Sequence, residues 1–243
     1  MKTYGPLAAV LVSIAVSFSA KAQTIDVNVV DQGFETYTFA PGDYAGEGHY
    51  PAGTTSGDPI PGWISTSSGD RAGTQNGQVN GLYNGSDSGL QGENFAWDDD
   101  TAPFYQILSG PGSTIEAGTY TLTVAVGTRP GATTAGAVLS LYATDGSGLG
   151  TDDLKDNAVA GVADGTGTFT DETLSLTIDP GNAAIGQTIA IALAGGNFKG
   201  LDNDDFDNVR LTFDPAPEPS AYALMLGGAL MLGLMVRRRV SSL

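Results

Sequence analysis

Asp207 is the carboxylate whose place in the sequence says most about chemistry. It shares the parity of Val209, Leu211 and Phe213, so on a strand its side chain points with theirs into the interior. A buried carboxylate is costly alone, and Asp207 therefore requires a cation, N–H donors or a metal ion. Asp98-Asp99-Asp100 and Asp202-Asn203-Asp204-Asp205 lack the glycine and distal glutamate of an EF-hand loop and read as solvated turns. Two carboxylates could hydrolyse a glycoside, but in a chain this acidic the spacing singles out no pair. Nucleophilic catalysis lacks its parts. There is no cysteine, the one histidine, His49, lies in a glycine-rich loop, and no serine occupies a G-x-S-x-G elbow. The remaining candidates for ligand contact are aromatic. Tyr44, Tyr50, Tyr83 and Trp97 could stack on the C–H faces of sugar rings, with ordinary packing as the alternative for each.

Strands must hold these groups. Along 118–126, Tyr120, Leu122, Val124 and Val126 fall on one face and Thr121, Thr123 and Ala125 on the other, the period-2 pattern of a half-buried strand. Leu139 and Leu141, then Leu174, Leu176 and Ile178, then Ile189, Ile191 and Leu193, and finally Val209, Leu211 and Phe213 repeat it. Turn residues such as Asp179-Pro180-Gly181-Asn182 separate them, and no amphipathic helix of useful length interrupts. Residues 25–30, 95–97 and 104–108 add three strands, whereas 37–63 and 144–168 read as long irregular insertions. The pattern predicts an all-β fold, an antiparallel β-sandwich over residues 23–214.

The chain ends have other compositions. Residues 1–22 carry an early Lys2, an apolar stretch and Ala20-Lys21-Ala22, which reads as a secretory signal peptide cut after Ala22. Residues 215–243 contain Pro217-Glu218-Pro219-Ser220, an apolar run over 221–236 and Arg237-Arg238-Arg239. As a single C-terminal transmembrane helix, 16 residues reach roughly 24 Å against a hydrocarbon core of about 30 Å. The arginines would stay cytoplasmic, so the sandwich is expected outside. Between these ends, 26 Asp or Glu face five Lys or Arg, which argues against nucleic acid as a partner.

Two resemblances follow. Gly33-Phe34-Glu35, Gly62-Trp63, Gln106-Ile107-Leu108, the strand opening Gly118-Thr119-Tyr120-Thr121-Leu122 and the closing Asp207-Asn208-Val209-Arg210-Leu211 resemble secreted galactose-binding-type jelly rolls, the fold of many carbohydrate-binding modules. That resemblance implies a structural Ca²⁺ between Asp207 and Glu35; capping of Asp207 by backbone N–H groups is the alternative. The tail resembles the PEP-CTERM sorting signal, which is also catalogued as the C-terminal domain of ice-binding proteins. It implies processing by an exosortase-type protease, membrane anchoring before processing, and then a place on the bacterial cell surface or in the extracellular matrix. Together these predict a secreted, non-catalytic protein whose jelly roll contacts exopolysaccharide. A structural surface protein without a ligand and a glycoside-active hydrolase are the alternatives.

Overall fold

The computed structural model describes residues 23–46, 49–53, 59–66, 71–78, 82–83, 88–98, 101–132, 136–150, 152–158, 167–195, 204–216 and 227–233. The chain divides into a unit spanning Gln23–Ala216 and a unit formed by the two chain ends. The first unit holds twelve strands among the described residues: β1 (Ile25–Val27), β2 (Tyr44–Ala45), β3 (Ile64–Ser65), β4 (Ala72–Asn76), β5 (Asn94–Asp98), β6 (Phe104–Ile107), β7 (Gly118–Thr128), β8 (Val138–Thr144), β9 (Asp152–Ala158), β10 (Phe169–Ile178), β11 (Thr188–Ala194) and β12 (Asp204–Pro215). They form two sheets. One runs β10-β7-β12-β5-β4-β2, with β1 also paired to β12; the other runs β3-β6-β11-β8-β9. Every ladder is antiparallel.

Alternation explains how the sheets meet. Leu122, Val124 and Val126 of β7 and Leu211 and Phe213 of β12 face inward against Leu139 and Leu141 of β8 and Ile189, Ile191 and Leu193 of β11, in one continuous core. Each such side chain contributes about 1.5–3 kcal/mol by leaving water. Phe34, Trp63 and Phe104 close one end, with ring centroids 5.4–6.3 Å apart. The β-sandwich read from the sequence is thus the architecture, and the described strands include those expected at 95–97, 104–108, 118–126, 139–141, 174–178, 189–193 and 209–213. The insertion at 144–168 is not wholly irregular, because β9 lies within it and pairs with β8. In the segment 37–63, Tyr37, Phe39 and Ala45 build a small cluster of their own, with Tyr50 packed against it.

One departure from alternation changes the chemistry. Asp207 of β12 lies opposite Ala125 of β7, yet Arg210 lies opposite Thr123, so β12 carries one residue more than its partner. This is a β-bulge. Asn208 supplies it with a left-handed backbone, φ 48°, and Val209 N–H bonds to the Gln32 carbonyl at 2.8 Å. The extra residue reverses parity. Phe206 and Val209 both enter the core, while Asp205 and Asp207 turn to the outer face of the larger sheet. Asp207 therefore does not point between the sheets with Val209, Leu211 and Phe213 as simple alternation predicts. It is nonetheless fully buried, because loops cover that outer face.

Of the second unit, residues 227–233 form a short exposed helix. Among the described residues no helix is long and apolar enough to cross a membrane; of the span expected over 221–236, residues 221–226 and 234–236 lie outside the described residues. Residues 1–22, Pro217-Glu218-Pro219-Ser220 and Arg237-Arg238-Arg239 lie outside the described residues.

Candidate active site on the outer face of the larger sheet

Asp205 is the centre of the outer face. In register it lies opposite Trp97 of β5 and Gly127 of β7. The segment after β4 turns back on itself, with Leu82 and Tyr83 N–H both bonding the Gly77 carbonyl at 3.0 Å, and this delivers Tyr83 over the sheet. The Tyr83 hydroxyl donates to Asp205 Oδ2 at 2.5 Å. Arg129, just past the end of β7, donates from Nε to Oδ2 at 3.2 Å and from Nη2 to Oδ1 at 3.3 Å. Its guanidinium also sits 5.6 Å from the centroid of Phe95, a cation–π distance.

Aromatic rings roof this triad. Tyr83 packs edge-on to Phe95 at 5.1 Å and against Phe169 at 4.5 Å. Trp97 continues the row to Tyr44 at 6.1 Å, and Tyr44 to His49 at 4.8 Å. The row fits because glycines lie beneath it. A Cβ on Gly127 would meet the Phe169 ring at 2.9 Å, and one on Gly73 would meet Trp97 Cζ2 at 2.8 Å.

Burial dominates the electrostatics. Loss of solvent pushes the Asp205 carboxyl above the ordinary carboxylate range, while the Arg129 charge and the Tyr83 hydrogen bond pull it partly back. The Tyr83 phenol is raised for the same first reason, and then by the neighbouring Asp205 charge, so Tyr83 remains a hydrogen-bond donor. Asp205 is thus a buried acid raised by loss of solvent, with both oxygens accepting from Tyr83 and Arg129, a perturbed group of the kind found at functional sites.

Asp205 was missed by the sequence reading. It and Asp204 were expected in a solvated turn, as was Asp98, yet all three are fully buried. Asp204 and Asp205 begin β12 and Asp98 ends β5, where its Oδ2 accepts Gly195 N–H at 3.0 Å. The clue was Asp205-Phe206-Asp207, which alternates polar and apolar as a strand does and a solvated turn does not. Arg129 was recognisable only as one of five cations among many acids. Of the four aromatics singled out, Tyr44, Tyr83 and Trp97 join the row, whereas Tyr50 packs on the cluster of Tyr37 and Phe39.

Glu35 and Asp207 come together beyond the bulge. A Cβ on Gly33 would lie 3.7 Å from Asp207 Oδ1 and 3.8 Å from Glu35 Cγ. Both carboxylates accept backbone donors: Asp207 from Gln91 N–H at 2.7 Å and Asn208 N–H at 2.6 Å, Glu35 from Glu93 N–H at 2.7 Å and Asn94 N–H at 2.9 Å. A groove of about 520 Å³, lined by Asp31, Gln32, Glu35 and Asn208 among others, opens beside them. The three non-glycine residues with left-handed backbone among those described, Asp31, Phe34 and Asn208, all belong to this corner. Such conformations persist where surrounding contacts enforce them. Burial, then the Glu35 charge, raises Asp207 to about 7, and burial raises Glu35 as well. Among the described residues no three His, Cys, Asp or Glu side chains converge as a metal site. A calcium ion here would therefore draw on main-chain carbonyls beside these two carboxylates, which suits its preference for several oxygen ligands.

The fold and its outer face define a β-sandwich that holds a buried acid, Asp205, under aromatic rings. The chain belongs to the HpiC1-like family, that of the HpiC1 cyclase, whose sequence profile matches residues 25–212. Among solved structures, the Stig cyclase Fisc of Fischerella sp. TAU, in complex with (3Z)-3-(1-methyl-2-pyrrolidinylidene)-3H-indole, shares 22% identity over 80% of this chain and 100% of its own, with a TM-score of 0.61. An apo cyclase from Fischerella sp. shares 23% over 80% and 98%, with a TM-score of 0.59. At these identities the likeness bears on the fold. No curated protein matches. Family membership overturns the expectation of a non-catalytic surface or matrix protein, with exopolysaccharide and an exosortase as partners. The expected place on the cell surface was tied to that role and is corrected with it; of the expected anchor, no helix long and apolar enough to cross a membrane is found among the described residues.

The raised Asp207 has a consequence for stability. Its folded-state value of about 7 lies above the ordinary 3.8, so the folded protein holds a proton that the unfolded chain releases. Its contribution is present below pH about 4 and is lost as pH rises towards 7. In the presence of chelator, the thermal midpoint of Asp207→Asn is expected to fall less than that of wild type across this window. Parallel curves would show that Asp207 is not the titrating group.

Proposed function

We propose that this protein is an acid-initiated cyclase acting on a small, ring-bearing, unsaturated molecule, with Asp205 as the proton donor. The observation that carries this reading is the wholly buried Asp205 carboxyl, held by Tyr83 and Arg129 under aromatic rings. A cyclisation that adds no other reactant forms its new bond at the expense of a π bond. Asp205 gives its proton to one alkene carbon, a C–H bond forms and the π bond breaks, leaving a cation on the other carbon. The faces of Phe95, Tyr83, Phe169 and Trp97 stabilise that charge. Electrons of a neighbouring ring in the substrate close the new bond, and the ring carbon that was attacked returns a proton to the Asp205 carboxylate. The product is an isomer of the substrate. Tyr83 and Arg129 stabilise the carboxylate between these steps, and the water-poor site prevents capture of the cation by water.

Indole compounds are the first substrates to test, because the Fisc structure and a second Fischerella cyclase structure were solved with indole ligands, the latter with 4-(1H-indol-3-yl)butan-2-one. An indole with an unsaturated side chain should be converted to an isomer of equal mass, and in D₂O the product should carry one added deuterium. Asp205→Asn should lower the rate about 10²–10⁴-fold, the usual contribution of a positioned general acid. Tyr83→Phe should lower it less. Products without deuterium, or an Asp205→Asn variant of undiminished rate, would refute the role of Asp205.

Glu35 and Asp207 support a second element of this reading, a calcium ion held by these carboxylates together with main-chain carbonyls. Its part would be structural, fixing β12 at the bulge two residues from Asp205. Calcium should raise the thermal midpoint of wild type over chelated protein, and should not do so in Asp207→Asn or Glu35→Gln. An equal response in all three would place the ion elsewhere, and no response in wild type would remove it.

A further inference from the structure

We infer that Trp97 determines substrate choice at this site, its indole N–H donating to one hydrogen-bond acceptor on the substrate. The substrate class narrows accordingly to unsaturated, ring-bearing molecules that also carry a carbonyl or imine-type acceptor. This rests on the reading of the outer face as the reaction site.

Trp97 is 3% exposed, yet its Nε1 has no hydrogen-bond partner. A buried donor left unmade costs about 1–3 kcal/mol, and a substrate acceptor beside it would recover that cost. The ring cannot settle elsewhere. A Cβ on Gly73 or on Gly46 would come within 2.8 or 2.7 Å of the same Trp97 atom, Cζ2, so two glycines leave the space the indole fills. Tyr44 packs on it edge-on at 6.1 Å.

The other tryptophan makes the contrast. Trp63 Nε1 also lacks a partner, but Trp63 lies between the sheets, tilted against Phe34 at 5.8 Å and edge-on to Phe104 at 5.4 Å. Trp97 instead borders a rim, where Tyr44 is half-buried and His49 is exposed. On the sheet Trp97 is the direct register partner of Asp205. The ring's Cζ2 lies beside Gly73 of β4 while Asp205 lies on β12, so a substrate that meets both the indole N–H and the acid reaches across β5, with neighbouring strands about 4.8 Å apart. An acceptor fixed at one end sets which carbon meets the proton at the other, which is how a site of few polar groups selects one cyclisation among several.

The test uses 3-acetylindole and 3-isopropylindole, which are close in size; the first carries an acceptor oxygen on a planar carbon and the second carries none. Calorimetry on the full chain should show 3-acetylindole bound about tenfold more tightly by wild type, the net worth of one good hydrogen bond. Trp97→Phe keeps an aromatic ring, though a smaller one, and loses the N–H, and should bind the two probes equally. In ¹⁵N-labelled wild type, the indole N–H signal of Trp97 should move on adding 3-acetylindole and that of Trp63 should not, a readout that does not depend on the variant folding. Equal binding of the two probes by wild type, a preference retained in Trp97→Phe, or an unmoved Trp97 signal would each overturn the inference. If Asp205→Asn weakens binding while Trp97→Phe keeps the preference, only the role of Trp97 fails. If neither probe binds wild type, or binding ignores both substitutions, the outer-face site fails with it.

Discussion

A carboxyl group stripped of water is the constraint on which the larger sheet depends. Asp205 is fully buried on a face that most sandwiches leave to solvent, and isolating such a group without partners costs several kcal/mol. Tyr83 and Arg129 offset that cost by donating to its oxygens, while Phe95, Phe169 and Trp97 build beside it a second apolar cluster distinct from the core between the sheets. Tyr83 and Asp205 lie 122 positions apart in the chain, so the pair exists only once β4, β5 and β12 are laid side by side.

The bulge at Asn208 connects this acid to the rest of β12. Without an extra residue, the inward phase of Val209, Leu211 and Phe213 would carry Asp205 and Asp207 into the core and turn Phe206 outward. With it, one strand serves two faces: its C-terminal half seals the core and its N-terminal half presents two acids to the outer surface. Asp207 then anchors the covering loops through Gln91 N–H, while Glu35 holds the backbone at Glu93 and Asn94. The strained corner and the buried acid thus share one strand, with Asp207 two residues from Asp205.

The architecture was largely legible because it rests on local pattern. Strict alternation at 118–126, 174–178 and 189–193 marks half-buried strands, and the absence of helical periodicity leaves a sandwich as the way to bury them. The site was legible only in fragments. Tyr44, Tyr83 and Trp97 stand out as aromatics, and Glu35 and Asp207 lie close together, but nothing local distinguishes a ring that stacks on sugar from one that packs over a buried acid. Parity failed at Asp207 because Phe206 and Val209, both apolar and three apart, cannot both face inward on an unbroken strand. That conflict is itself a bulge signal. The linear motif at 217–239 is conspicuous in the sequence, whereas Asp205 has no motif around it.

The central claim is that the row of rings over Asp205 is where a substrate sits. Crystals soaked in 5-bromoindole test it most directly, since the anomalous signal of bromine locates the ring without reference to activity. The account predicts a bromine peak in contact with the outer-face row, beside Phe95 and Trp97 and within reach of Asp205. Bromine found only in the groove beside Gln32 and Glu35, with the row over Asp205 empty, would contradict it.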